Sequence, residues 1–370
     1  MEETGKSRPL LVFHPAGVFF ALAAVMAAAL PWLWLLPLED PRLAHARLGL
    51  FGFAGTAICG YVMTAQKAWT GQRLPAPALF IGTLALGARL ASLGFPGDLW
   101  PVVLLSLPVA LSILWPVLRA GRWDKAPLAT VPLTLVAAEA MVLDRPDLAG
   151  LLPMAIAALV FIVGGRLVPS FVAEARRRRG LGALRRPPLW PGAALLGAGV
   201  LQESLLGTLA LLAAVPWVAV HSVDGLRLAP ANRMLCLAYA GLVPGLLAVA
   251  AARSGMVPQL VAVHALTMAS MGPMILAVAA RVTMRRPAGA ALQPRRRHWA
   301  ALGLVSGAAV ARVLAELPGQ APAWLSVAGI GWSAGWVLFL SAHLPALARP
   351  SPFPLLSAQR ADSPARQKPS

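Results

Sequence analysis

His264 is followed by Met268 and Met271 at i+4 and i+7, so an imidazole and two thioethers share one face of any helix drawn through Pro258–Arg286. That face could ligate a metal or relay a proton, because an ionisable side chain in an apolar span turns towards the bundle interior. It could equally carry a histidine bonded to a neighbouring helix and nothing more. Four arginines also lie inside apolar runs: Arg89, Arg166, Arg281 and Arg312. Arg281 is near the end of its run and can snorkel to the interface. Arg89, Arg166 and Arg312 need partners in place. Carboxylate pairs such as haem propionates suit their forked donors; backbone carbonyls and water at kinks such as Gly164-Gly165 or near Pro169 would also serve. Glu139 is the acid most clearly inside a run. Cys59 and Cys236 fall in or beside apolar runs without CxxC spacing, which gives neither a disulfide framework nor a thiolate cluster.

The elements that must position these groups are membrane helices. Of 370 residues, 58% are hydrophobic and 12% charged, with a mean hydropathy of +0.70. A soluble chain of this size could not solvate that composition. The net charge of +18 does not indicate nucleic acid, because the basic residues sit in short segments between apolar runs and serve orientation. Met1–Pro9 is polar, and Val18–Leu36 is long enough to span without a small-residue cleavage site, so no cleavable leader is expected.

Twelve apolar runs are read at about 17–37, 48–64, 77–94, 99–118, 127–143, 148–172, 189–201, 205–222, 234–251, 257–282, 299–315 and 322–346. The predicted fold is an all-α polytopic transmembrane bundle with both termini cytoplasmic. With twelve crossings, 24 of the 32 Lys and Arg residues share one side and only Arg42, Arg47, Arg145 and Arg253 the other. Merging the seventh and eighth runs across Gln202-Glu203-Ser204 would put Arg227, Arg233 and the 285–297 cluster on the wrong side. The expected organisation is a cytoplasmic segment 1–16, a membrane domain 17–346 with a basic loop at 173–188 that touches anionic headgroups, and a disordered tail 347–370. Gly272-Pro273 should kink the tenth run.

This topology places His45 at the outer mouth of the second span and His264 in the outer third of the tenth. His14, His221, His298 and His343 fall near cytoplasmic ends, where interfacial roles are common. Two imidazoles from distant helices thus share the outer leaflet, and bundle interiors are where such pairs build cofactor sites.

Four patches resemble the NnrS family of membrane proteins of denitrifying and related bacteria. They are His45-Ala-Arg-Leu-Gly-Leu-Phe-Gly-Phe53 with Cys59–Gly71 after it, Gly164-Gly-Arg-Leu-Val-Pro-Ser-Phe171, Leu235-Cys-Leu-Ala-Tyr239, and His264–Met274 with Arg281. The family's versions read like HAHEMLFGF then GFLLTAVPNWTG, GGRxxPxF, LHxGY and HALTxGAxGxMxLxxMxR. The resemblance implies a haem- and copper-containing twelve-span protein of the bacterial inner membrane, linked to denitrification, nitric oxide metabolism and nitrosative-stress resistance. Its expected partners are lipid, haem, and nitric oxide or iron-nitrosyl species. His45 and His264 match family histidines and become the expected metal ligands, with Arg89, Arg166 and Arg312 as propionate partners. Two such imidazoles could hold one low-spin haem, or one could bind iron and leave its other face open to a gas.

Four positions depart from the pattern. Arg47 and Leu48 stand where the family has histidine and glutamate, and Cys236 and Arg286 where it has histidines. For copper this leaves Met268, Met271 and Cys236 as soft donors, with Cys236 expected at the opposite membrane face from His264. Two other classes fit the outline: a twelve-span secondary transporter, and a paralogue without cofactor acting as scaffold or sensor. Against transport, the halves show no repeat and acids suited to proton coupling are nearly absent. No haem c, flavin or iron–sulfur signature supplies an electron route, so no reaction is assigned.

Overall fold

The computed structural model describes residues 15–70, 78–177, 179–182, 185–201, 204–284, 292–316 and 321–347. The expected disordered tail, His14 and Arg286 lie outside them, apart from Leu347 at the tail's start. Among the described residues the chain is all helix, without a strand. The first six rods are α1 (Ala16–Leu35), α2 (Pro41–Gln66), α3 (Phe80–Gly94), α4 (Val102–Arg119), α5 (Val131–Asp144) and α6 (Pro146–Arg177). The second six are α7 (Trp190–Val200), α8 (Leu205–Leu228), α9 (Pro230–Arg253), α10 (Gln259–Ala280), α11 (Arg296–Leu314) and α12 (Pro322–Leu347). Each apolar run of the sequence falls on one of them.

Helix is what such runs must form, since a segment in hydrocarbon has to satisfy its own backbone groups. Eight of the rods are long and apolar enough to cross a membrane: α1, α2, α4, α6, α8, α9, α10 and α12. The others fall short in length or apolarity. The 11 residues of α7 reach about 17 Å against a hydrocarbon core of roughly 30 Å. α7 and α8 are nevertheless separate helices packed on each other. Ser204 caps α8 by accepting from the Gly207 amide at 2.9 Å. A side chain at Gly207 would overlap the Leu201 carbonyl, so the chain doubles back there.

The first and last helices close the bundle. Pro31 has no N–H to give the carbonyl one turn back. That carbonyl, on Ala27, instead accepts the Trp332 indole N–H at 2.8 Å, and Ser333 donates to Ala28 O at 2.8 Å. The end of α1 tightens into a 3₁₀ turn over Leu30–Leu35. Behind this seam Phe53, Trp332, Trp336 and Phe339 form a chain of edge-on aromatic contacts with centroids 5.0–6.1 Å apart.

The kink expected at Gly272-Pro273 takes the form of a widened, π-helical segment over Ala265–Met271. Pro273 cannot donate to Ala269, and its ring crowds that carbonyl, so the preceding turn opens. The Ala269 carbonyl presses on Gly241, where any side chain would overlap it, and Gly245 lies close against Leu266, where a side chain would be tight. Gly241-x-x-x-Gly245 is therefore the small-residue seam that lets α9 approach α10.

Candidate functional site

α2 starts at Pro41, earlier than its apolar run suggests. Asp40 caps it, accepting from the Leu43 amide at 2.9 Å, and proline suits the first helical position. His45 thus sits inside a helix rather than at its mouth, just before a π-helical segment at Leu48–Ala54. His264 holds the matching place in α10, on the last α turn before Ala265–Met271. Widened turns of this kind recur at functional sites.

His45 Nδ1 lies 3.3 Å from the Leu30 carbonyl, and His264 Nδ1 lies 2.9 Å from the Leu260 carbonyl. A carbonyl only accepts, so each ring carries its proton on Nδ1 and keeps a lone pair on Nε2. Both imidazoles are half-buried, and the Trp34 ring leans over His45 with centroids 5.6 Å apart. His264 lies within electrostatic range of His45, and Arg312 on α11 within range of both rings. Arg312 is held by Glu316 one turn on. Of the expected residues, then, His45 on α2, His264 on α10 and Arg312 on α11 lie within electrostatic reach of one another.

Arg89 is elsewhere and already engaged. Its Nη1 and Nη2 donate to Glu139 Oε1 and Oε2 at 2.7 and 2.9 Å, and Nη2 also reaches Ser106 Oγ at 2.6 Å. Arg47 grips the same carboxylate, Nη2 to Oε1 at 3.1 Å and Nε to Oε1 at 3.3 Å, and donates to the Pro96 carbonyl at 2.7 Å. All three side chains are nearly inaccessible, at 3%, 6% and 2% exposure for Arg47, Arg89 and Glu139. Arg47, expected as an outer loop charge, is thus part of the core. A cavity of about 50 Å³ adjoins the cluster, lined by Thr56, Cys59, Ser106 and the Arg89–Glu139 pair. Sequence reasoning named Arg89 and Glu139 separately. The signal that joins them is that a buried acid needs a cation as much as each arginine needs an anion.

The remaining expectations scatter. Arg166 is exposed on α6 rather than buried in the bundle. Met271 is buried and Met268 half-buried against the core. Cys236 packs at Gly225 beside Val172, with Asp224 as its charged neighbour. That is a crossing of α9 with α8 and α6, so the soft donors divide between two places. Among the described residues no three His, Cys, Asp or Glu side chains come together as a metal-holding group. Arg281 does not snorkel. It is buried, donating to Asn232 Oδ1 at 3.3 Å and lying 4.0 Å from the Phe171 ring centroid. His221, His298 and His343 are likewise core residues rather than interfacial ones. They contact the Trp217 and Arg185 carbonyls, Thr283 Oγ1, and the Gly17 carbonyl respectively.

Compared with known proteins, no curated protein matches the chain. Against protein families, residues 14–351 match the family described as NnrS protein. That span holds every described helix, so the chain belongs to the NnrS family.

Proposed function

We propose that this membrane protein binds haem through His45 and His264 and serves the cell's response to nitric oxide. The observation that carries the reading is the shared ring geometry. In both residues a backbone carbonyl takes the Nδ1 proton and leaves Nε2 as the ligating nitrogen, as is usual for metal-bound histidine. The carbonyls do more than choose the tautomer. They fix ring rotation, and they come from different places: Leu30 belongs to the tightened end of α1, Leu260 to the turn preceding His264. Trp34 covers His45 on one side. Arg312 supplies positive charge near both rings, favouring an anionic group there, although Glu316 competes for it. Haem held at this place would supply a redox-active iron with affinity for a small diatomic such as nitric oxide.

Copper is not part of the proposal, because Cys236 and the Met268–Met271 pair lie at separate helix crossings. We read the bundle as twelve spans with both termini cytoplasmic in a bacterial inner membrane. The support is the 24-to-3 distribution of Lys and Arg that remains once Arg47 is counted in the core and the separation of α7 from α8.

The test is an optical spectrum of detergent-purified protein expressed with haem supplied, oxidised and reduced, with and without nitric oxide. A Soret band that shifts on adding nitric oxide is expected. His45→Ala and His264→Ala should each remove or alter it. A wild-type protein that takes up no haem ends the proposal.

A further inference from the structure

A second cavity of the described structure lies away from the histidines. It measures about 240 Å³, between α6 and the segment leading into α7, and is lined by Ile162, Gly165, Arg166, Arg186, Pro187 and Leu189 among others. Arg166 and Arg186 come from different segments, both are exposed, and the lining contains no acid. An arginine on an outward face of a membrane helix is costly unless it meets an anion or reaches water. Arg166 lies about 9 Å short of the end of its apolar run at residue 172, a depth from which a long side chain can reach the headgroup layer.

The cavity is preformed. A side chain at Gly165 would come within 2.9 Å of Pro187 Cγ, so the absence of one lets the proline turn seat directly on α6. Upstream, His221 Nε2 lies 2.8 Å from the Arg185 carbonyl, which anchors the segment at the residue before Arg186. The two arginines are therefore presented by backbone tied down on both sides. The rest of the lining is apolar, and Leu189 and Trp190 stand exposed beside it. Tryptophan so placed marks the level of the headgroups.

We infer that Arg166 and Arg186 form a binding site for a phosphate ester. The apolar wall and the flanking Trp190 favour the phosphodiester of an anionic membrane lipid over a soluble phosphate. Forked guanidinium donors match phosphate oxygens two at a time, and basic pockets between membrane helices on the cytoplasmic side take such headgroups.

The experiment uses the full-length protein in detergent, with bound lipid counted by native mass spectrometry after adding phosphatidylglycerol or phosphatidylcholine. Phosphatidylglycerol should be retained and phosphatidylcholine not. Arg166→Gln/Arg186→Gln should weaken retention on the order of 30-fold, from about a factor of five per basic residue. Arg119→Gln, which removes an exposed charge elsewhere, should leave it unchanged. Arg186→Gln alone lies outside the helices and keeps the test available if the double variant folds poorly. A parallel arm adds inorganic phosphate. Displacement of lipid by it, lost in the same variants, would keep the site and assign it a soluble phosphate. Equal retention of both lipids, or retention indifferent to both arginines, overturns the inference. None of these readouts depends on haem.

Discussion

Arg89 meets Glu139 through two parallel hydrogen bonds of 2.7 and 2.9 Å, while Arg47 closes on the same carboxylate from another helix. Two guanidinium groups and one carboxylate leave this buried cluster with a net positive charge. Its cohesion depends on the acid. Removing the common partner strands two cations away from water, whereas replacing a whole buried network by apolar groups is often close to neutral. Glu139→Gln should therefore destabilise the bundle by about 3–5 kcal/mol, read as a loss of melting temperature in detergent. Arg47→Leu/Arg89→Met/Glu139→Leu should recover most of that loss. Should the triple variant prove worse than the single one, the cluster contributes something beyond charge balance. The same geometry bears on transport. A carboxylate clamped by two arginines is a poor proton carrier, so solute uptake abolished by Glu139→Gln but unaccompanied by unfolding would count for a carrier.

The α9–α10 seam makes a sharper packing prediction. A methyl at Gly241 would overlap the Ala269 carbonyl, a backbone atom that cannot rotate away. Gly303 on α11 faces nothing within 4 Å. Gly241→Ala should cost at least about 1–3 kcal/mol by overpacking. Gly303→Ala should be neutral or stabilising by up to about 1 kcal/mol, since alanine is the better helix former. The seam also sets the π segment that follows His264, so Gly241→Ala should perturb any haem spectrum as well, and Gly303→Ala should not. Equal melting temperatures for the two variants would remove the seam from the account.

What could be read beforehand, and what could not, divides along physical lines. Each apolar run became a helix because hydrocarbon admits no alternative for α1, α6 or α10. The expectation that His45 and His264 share one level came from orientation alone, since an outward-to-inward α2 and α10 would bring their first halves together. The start of α2 was legible but missed: Asp40-Pro41 is a cap and first-turn pair, and its use turns Arg47 inward. Pairing was the harder matter. Nothing in the spacing of Arg47, Arg89 and Glu139 says that they meet, because each lies on a different helix and their contacts depend on how those helices pack. The π segments were hidden for a related reason. Pro273 announces a lost hydrogen bond but not what the Ala269 carbonyl then faces, and here it packs against Gly241, 28 residues earlier in the chain.

His45 and His264 can be separated by their supports. Leu30 O is available to His45 because Pro31 ends regular helix in α1, whereas Leu260 O belongs to His264's own helix. Pro31→Ala would let residue 31 donate to Ala27 O in competition with Trp332, restoring ordinary helix and withdrawing the carbonyl that orients His45. Loss of such a supporting bond typically costs about 10–100-fold in metal affinity. Haem titration should show a weakening of that order for Pro31→Ala, in a protein whose His264 surroundings are unchanged. Unaltered affinity would mean that the Leu30 contact does not set the ligand.

The number of crossings rests on the short helices, and α5 is the one on which a decision turns. Its 14 residues measure about 21 Å, less than the hydrocarbon thickness of roughly 30 Å, although the one-turn helix Ala126–Ala129 precedes it. If α5 crosses, the turn holding Asp124 and the turn holding Asp147 face opposite sides, with the basic Arg122–Lys125 side cytoplasmic. Both aspartates are more than half exposed. The two native cysteines are buried and should not react with a bulky maleimide. Asp147→Cys should therefore label in intact cells with an impermeant maleimide, and Asp124→Cys only after the membrane is opened. Labelling of both from one side would show that α5 turns back without crossing. The twelve-span arrangement would then fail, and with it the expectation, made by counting, that His45 and His264 share one leaflet.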